Sequence, residues 1–180
     1  CSLPYSAYAE AIQLYSNKET GKLEMGSDLL FRQATADDLP AIVEMLADDA
    51  LGAMREDNTR PLAAGYLSAF DSIEADPNNE LIVACMGAQI VGVLQLTCIP
   101  NLTYQGSWRA LIEGVRVAQQ YRSQGVGRQL LMWAIERAKT RNCRIVQLDT
   151  HKTRADARRF YENLGFQATH EGMKLHLVED

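Results

Sequence analysis

The most informative segment of this chain reads Tyr121-Arg122-Ser123-Gln124-Gly125-Val126-Gly127-Arg128. It follows a predicted strand and opens a predicted helix. Two glycines one residue apart let the backbone approach a ligand closely, and the first N–H groups of a helix have no partners inside it. Those amides and the helix dipole form an anion site suited to a pyrophosphate. The alternative is a glycine-rich turn that holds no ligand.

Two other phosphate-binding motifs do not fit the same residues. A P-loop requires Gly-Lys-Ser/Thr, whereas Gly127 is followed by Arg128 and Gln129. A dinucleotide fingerprint requires a third glycine at position 130, which is Leu130 here. That fingerprint also lies in the first strand–helix unit of a parallel sheet, whereas this segment follows strands that are predicted to be antiparallel. Neither motif accounts for the segment.

The elements around this segment predict an α/β (α+β) fold with a central mixed, mostly antiparallel sheet flanked by helices. Gly87-Ala88 joins two apolar, β-branched runs into a hairpin, and the later elements alternate between strand and helix. The predicted strands are Leu29–Thr35, Leu81–Met86, Gln89–Thr97, Trp108–Val117, Arg144–Thr150 and Met173–Val178. The predicted helices are one from Asp37 to Leu51, one at Pro61–Ile73, one from Gly125, and one that begins with a capping box at Thr153 and ends near Gly165.

Composition describes one ordinary globular domain. The 180 residues are 47% hydrophobic and 23% charged, and the net charge of −5 argues against an extended nucleic-acid surface. Four cysteines without a C-x-x-C pair favour reduced thiols and no metal. No apolar run reaches the ~20 residues of a membrane span. We therefore expect a cytoplasmic protein that binds neither nucleic acid nor membrane, with an extension or linker at residues 1–28 and the domain at 29–178.

The chain resembles the Gcn5-related N-acetyltransferase (GNAT) family. The family hallmark is Arg or Gln, two residues, Gly, one residue, then Gly or Ala, and Arg122, Gly125 and Gly127 match it. A second family element lies on a later helix and is matched at the expected distance by Ala157, Phe160, Tyr161, Gly165 and Phe166. The resemblance covers about residues 29 to 177.

The resemblance implies that acetyl-coenzyme A is the acetyl donor and that no metal takes part. Its pyrophosphate is expected on the amides of the hallmark segment, and its pantetheine arm on the backbone of the preceding strand, where Gly114 suits a bulge. The implied cofactor-binding residues are Val115, Arg116, Val117, Arg122, Ser123, Gln124, Gly125, Val126, Gly127, Arg128 and Arg154. Many members have glycine at the position of Ser123 and a cofactor-binding asparagine at that of Arg154, so Arg154 is a candidate for a phosphate contact instead.

The resemblance also implies direct attack of an acceptor amine on the thioester in a ternary complex. Glu113 is the candidate base, because it is the only acid in the strand that approaches the thioester; the alternative is a surface or ion-paired glutamate. Tyr161 is the candidate acid for the departing thiolate; the alternative is a core tyrosine. The resemblance places Arg55, Glu56 and Tyr104 around the acceptor entrance, and the alternative for each is an ordinary loop residue.

The first functional hypothesis is therefore a small-molecule N-acetyltransferase, monomeric or homodimeric. Two alternatives remain open. One is an acetyltransferase for protein lysines or N-termini, and the other is a non-catalytic module that senses acetyl-coenzyme A. Three histidines, His151, His170 and His176, have no metal-like spacing and are expected in solvent or in hydrogen bonds.

Overall fold

A five-stranded open sheet runs through residues 29–177, the part of the chain that the computed structural model describes. Its strands are β1 (Leu29–Gln33), β2 (Asn79–Met86), β3 (Gln89–Pro100), β4 (Trp108–Val117) and β5 (Cys143–Leu148). They lie side by side in sequence order. Neighbours are antiparallel except β4 and β5, which are parallel because a helix joins them. The predicted mixed, mostly antiparallel sheet is confirmed.

The longer helices that flank the sheet are α1 (Leu39–Ala47), α2 (Ala64–Ala75), α3 (Val126–Thr140) and α4 (Ala155–Glu162), and single helical turns lie at Ala36–Asp38, Thr103–Gly106 and Gln119–Tyr121. On one face, α3 buries its apolar stripe against side chains of β2, β3 and β4, among them Ile82, Leu94 and Ile112. On the other face, α1 and α2 pack against the alternate residues of β2 and β3. Because successive side chains of a strand point to opposite faces, both faces of the central strands are apolar.

The first helix ends four residues earlier than expected, at Ala47. The Asp49 carboxylate accepts hydrogen bonds from the amides of Leu51 and Gly52, at 3.0 and 2.8 Å, which replaces helical bonds with a tight turn. Gly52 packs so closely that a Cβ would lie 2.0 Å from the Leu46 carbonyl oxygen. This turn carries the following loop toward β4.

Two acidic side chains of the described chain are buried, and each is paired with an arginine. Asp38 lies against Arg32 at 2.6 and 2.8 Å and also accepts a hydrogen bond from the Thr35 amide. Glu80 of β2 accepts from the Arg137 Nε of α3, with both carboxylate oxygens at 2.9 Å. These pairs fix α3 and the start of α1 on the sheet.

Two predictions about secondary structure near the end of the chain are wrong, and two predicted regions lie outside the described residues. Residues 173–177 form no strand: nothing in the described chain pairs with them, and their alternating side chains Met173, Leu175 and Leu177 are exposed. The predicted capping box at Thr153 is wrong, because its hydroxyl contacts His151 at 2.7 Å and Arg154 takes the N-cap position. Residues 1–28 and Val178 lie outside the described residues.

Two further features are absent from residues 29–177. No helix there combines the length and the apolar character needed to cross a membrane. Within the same residues, no group of three or more histidine, cysteine, aspartate or glutamate side chains is placed to hold a metal ion.

Candidate functional site

A cleft opens where β4 and β5 separate. Their parallel ladder runs from Trp108 opposite Cys143 to Ile112 opposite Leu148 and then ends, while β4 continues to Val117. At the point of separation β4 contains a bulge, because Gly114 and Val115 together face one residue of β3. Gly114 has a φ of 60°, which glycine adopts without strain. The β5 side of residues 113–117 therefore presents backbone groups with no strand partner in the described chain.

The glycine-rich segment lies at the far end of this cleft and forms the N-terminus of α3. Ser123 and Gly125 both have left-handed backbones, with φ values of 62° and 84°, and the helix begins at Val126. The first helical bond runs from the Gln129 amide to the Gly125 carbonyl, at 3.1 Å, so the preceding amides point out of the helix end. No side chain of residues 29–177 caps them. An uncapped helix N-terminus with a tight glycine turn can hold an anion.

The side chain of Arg122, the first residue of the hallmark, makes its hydrogen bonds to other residues of the chain. Its Nε donates to the Val117 carbonyl at 3.0 Å, and its Nη2 donates to the Asp48 carboxylate at 2.7 Å. The side chain therefore ties the loop to the end of β4 and to the end of α1. Gly127 lies close to β4 and α4, since a Cβ there would meet Val117 and Phe160 at 3.5 Å each.

Tyr161 of α4 packs beside the same cleft. Its ring lies 5.4 Å from that of Phe160 and 6.1 Å, edge-on, from that of Phe166, measured between centroids. Its hydroxyl makes no hydrogen bond within residues 29–177. Burial raises the pKa of Tyr161, and the positive charges of Arg116 and Arg154 oppose that shift. The hydroxyl is therefore protonated at neutral pH and free to donate.

Glu113 is the last β4 residue before the bulge and is exposed. It makes no ion pair or hydrogen bond through its side chain within the described residues. The structure thus places a free carboxylate at the start of the unpaired half of β4, on the strand that leads into the cleft.

Arg154 and Arg116 meet at a residue that the sequence interpretation missed. Arg154 Nη2 lies 2.6 Å from the Asp49 Oδ2, and Arg116 Nη2 lies 3.5 Å from the same oxygen. The sequence does show two consecutive acids, Asp48 and Asp49, directly after the amphipathic helix α1. Arg154 lies 105 residues from Asp49 in the sequence, so no local pattern identifies this ion pair.

The predicted acceptor residues do not form one group. Arg55 and Glu56 lie on the loop after α1, where the Arg55 Nε donates to the Leu51 carbonyl at 3.0 Å and Glu56 accepts from the Tyr66 hydroxyl at 3.0 Å. Tyr104 lies before β4, with the Arg144 guanidinium 5.6 Å from its ring centroid. It therefore stands at the opposite end of β4 from the glycine-rich segment. The three histidines are exposed, as expected.

Comparison with known proteins gives consistent matches. Residues 40–166 match the model of the acetyltransferase (GNAT) family. The chain is 33% identical, over 53% of its length and 61% of the relative's, to aminoalkylphosphonate N-acetyltransferase from Salmonella typhimurium. It is 36% identical, over 49% of its length and 58% of the relative's, to glucosamine 6-phosphate N-acetyltransferase from Trypanosoma brucei brucei. The chain thus spans about six tenths of the length of these curated relatives.

A solved structure matches over more of the chain. This is a transcriptional regulator from Bacillus halodurans C-125, which is 58% identical and covers 83% of this chain and 99% of its own, with a TM-score of 0.81.

Proposed function

The chain belongs to the GNAT family of acetyltransferases, and we propose that it transfers the acetyl group of acetyl-coenzyme A to the primary amine of a small molecule. The observation that carries the proposal is the uncapped N-terminus of α3 at one end of the cleft beside β4. The two curated relatives support a small acceptor, since both are named as N-acetyltransferases of small amines.

The residues of the cleft fit coenzyme A. The amides of Val126, Gly127 and Arg128 bind the pyrophosphate, and Ser123, Gln124 and Gly125 shape the turn that exposes those amides. Each charge-assisted hydrogen bond is worth about 1.5–3 kcal/mol. The free backbone groups of Val115 and Val117 pair with the pantetheine arm as a neighbouring strand would. Arg122 acts as a positioning residue, because its contacts hold the loop against β4 and α1.

The bound thioester supplies an activated acetyl group, and the protein residues prepare its transfer. Glu113 removes the proton of the incoming ammonium, directly or through a water molecule, because an amine with a pKa near 10 is protonated at neutral pH. An amide in the second half of β4 stabilises the developing oxyanion. Tyr161 protonates the departing thiolate, since its hydroxyl is free within the described chain and protonated at neutral pH.

The test is release of free thiol from acetyl-coenzyme A in the presence of a panel of amines. The proposal predicts release with small amines, at a rate that increases with the unprotonated fraction of the amine. Release only with peptides would indicate a protein acceptor. Binding of acetyl-coenzyme A without release from any amine or peptide would contradict catalysis.

One observation favours a second candidate, a non-catalytic module that senses acetyl-coenzyme A. The relative that is 58% identical over most of this chain is a transcriptional regulator. In that case the cleft would bind the cofactor without turnover, so the thiol-release assay separates the two candidates. The free Glu113 and Tyr161 side chains favour the enzyme.

A further inference from the structure

Two arginines meet at one carboxylate beside the cleft. This arginine cluster consists of Arg116 and Arg154, which share Asp49. Arg154 and Arg116 approach the Oδ2 of Asp49 at 2.6 and 3.5 Å, while the Oδ1 of Asp49 is occupied by two backbone amides of its own turn. The two arginines and their carboxylate come from three separate parts of the fold: the end of β4, the start of α4, and the turn after α1.

The charges within this cluster do not balance. Two guanidinium groups share one aspartate. Burial lowers the pKa of Arg116, and the charges of Arg154 and Arg55 add to that effect against the attraction of Asp49. Like charges held together in a partly dry cleft attract an anion. Arg122 does not add to the cluster, because Asp48 is its own partner.

Arg116 also has a donor group with no acceptor. Its side chain is only 13% exposed, and its buried Nε makes no hydrogen bond in the described chain. A buried donor without a partner costs about 1–3 kcal/mol, so such groups in native proteins call for an explanation. The Nε and Nη groups of arginine present a fork that fits the two oxygens of a carboxylate, phosphate or phosphonate.

The Arg116 side chain lies on the face of β4 opposite the side chains that pack against α3. Arg116 lies beyond the Gly114 bulge, between Val115 and Val117, whose side chains pack into the core on the opposite face. Arg116 and Arg154 lie close enough to Tyr161 for their charges to act on its hydroxyl. An anion held by these two arginines would lie beside Tyr161, the candidate acid.

We propose that the arginine cluster binds an anionic group of the acceptor, so that the substrate is a small amine that also carries a phosphate, phosphonate or carboxylate. This inference rests on the proposed function. Arg116 and Arg154 bind the anion, and Asp49 keeps their guanidinium groups oriented. Binding of the anion holds the amine beside the acetyl carbon, and this orientation increases the rate of acetyl transfer.

The experiment compares matched amines on the full chain: 3-aminopropylphosphonate against propylamine, and glucosamine 6-phosphate against glucosamine. The readout is kcat/KM from thiol release, expressed as the ratio of the anionic to the neutral amine. We expect a ratio well above one in the unmodified protein. Arg116→Gln and Arg154→Gln should each reduce it by about 10- to 100-fold, mainly through KM. Arg158→Gln is the matched control, because Arg158 is 63% exposed on α4 and pairs with Glu162.

Calorimetry on the same proteins completes the test. Methylphosphonate titrated into protein saturated with coenzyme A should bind to the unmodified chain and to Arg158→Gln, and more weakly to Arg116→Gln and Arg154→Gln. A ratio near one in the unmodified protein overturns the inference and leaves the proposed function intact. The inference is also overturned if the Arg116 and Arg154 variants lose affinity for acetyl-coenzyme A as much as they lose the ratio. If no amine releases thiol, the proposed function fails, and the methylphosphonate titration alone decides whether the anion site exists.

Discussion

Replacing Ser123 with glycine should stabilise the protein, although the change removes a side chain. Ser123 has a φ of 62°, and its exposed side chain makes no hydrogen bond within residues 29–177. A residue with a Cβ in this left-handed region costs about 1–2 kcal/mol, and glycine loses about 0.5–1 kcal/mol more backbone entropy on folding. The difference predicts a gain of roughly 0.5–1 kcal/mol, which raises Tm by about 1–4 °C in a chain of this size.

Differential scanning calorimetry measures this change directly, and Ser107→Gly is the matched control. Ser107 has a φ of −76°, so the same chemical replacement relieves no strain there and should lower Tm. Ser123→Ala retains the Cβ and should leave Tm nearly unchanged. If Ser123→Gly lowers Tm to the same extent as Ser107→Gly, the backbone of Ser123 is not strained.

Three further predictions concern chemistry, pH and packing. Tyr161→Phe keeps the aromatic contacts, so kcat should fall about 10²- to 10⁴-fold without a matching rise in the Kd of acetyl-coenzyme A; an unchanged kcat rules out the acid role. Hydrogen bonding to Arg32 lowers the pKa of Asp38 from 3.8 to about 2, so its contribution is complete above pH 4 and is lost as pH falls toward 2. Asp38→Asn should therefore reduce the unfolding free energy in urea titrations by about 2 kcal/mol at pH 7 and by much less at pH 2; an equal loss at both pH values contradicts this. Gly52→Ala should cost roughly 1–3 kcal/mol, since its Cβ would lie 2.0 Å from the Leu46 carbonyl oxygen; wild-type stability in the same titration contradicts that packing.

Gly65→Ala is the control for the last of these changes. Gly65 lies in α2, and a Cβ added there would meet no other atom within 4 Å, so alanine should be neutral or stabilising by up to about 1 kcal/mol. A loss of stability at Gly65 comparable to that at Gly52 would indicate a general effect of the substitution.

Sequence patterns predicted the parts of the fold that local periodicity determines. The apolar stripe of α3, the hairpin of β2 and β3, and the left-handed cap at Gly165 were all confirmed, because each depends on neighbouring residues. The hallmark segment was also placed correctly at a helix start.

The remaining features depend on contacts between distant residues. The early end of α1 follows from the bonds of Asp49 to its own turn and to Arg154, and no local pattern indicates the second of these. The predicted final strand is wrong because alternation of Met173, Leu175 and Leu177 creates a strand only where another strand offers hydrogen bonds. Sequence patterns do not predict the arginine cluster, because Asp49, Arg116 and Arg154 are far apart in the sequence.

The proposed function depends on the binding of a pyrophosphate by the uncapped amides of α3. Isothermal titration of the full chain with coenzyme A, acetyl-coenzyme A and pantetheine tests it most directly, because pantetheine lacks that group. We expect both coenzyme forms to bind with one site per chain, and pantetheine to bind at least about 100-fold more weakly. Equal affinity for pantetheine, or no heat with either coenzyme on folded protein, would contradict it.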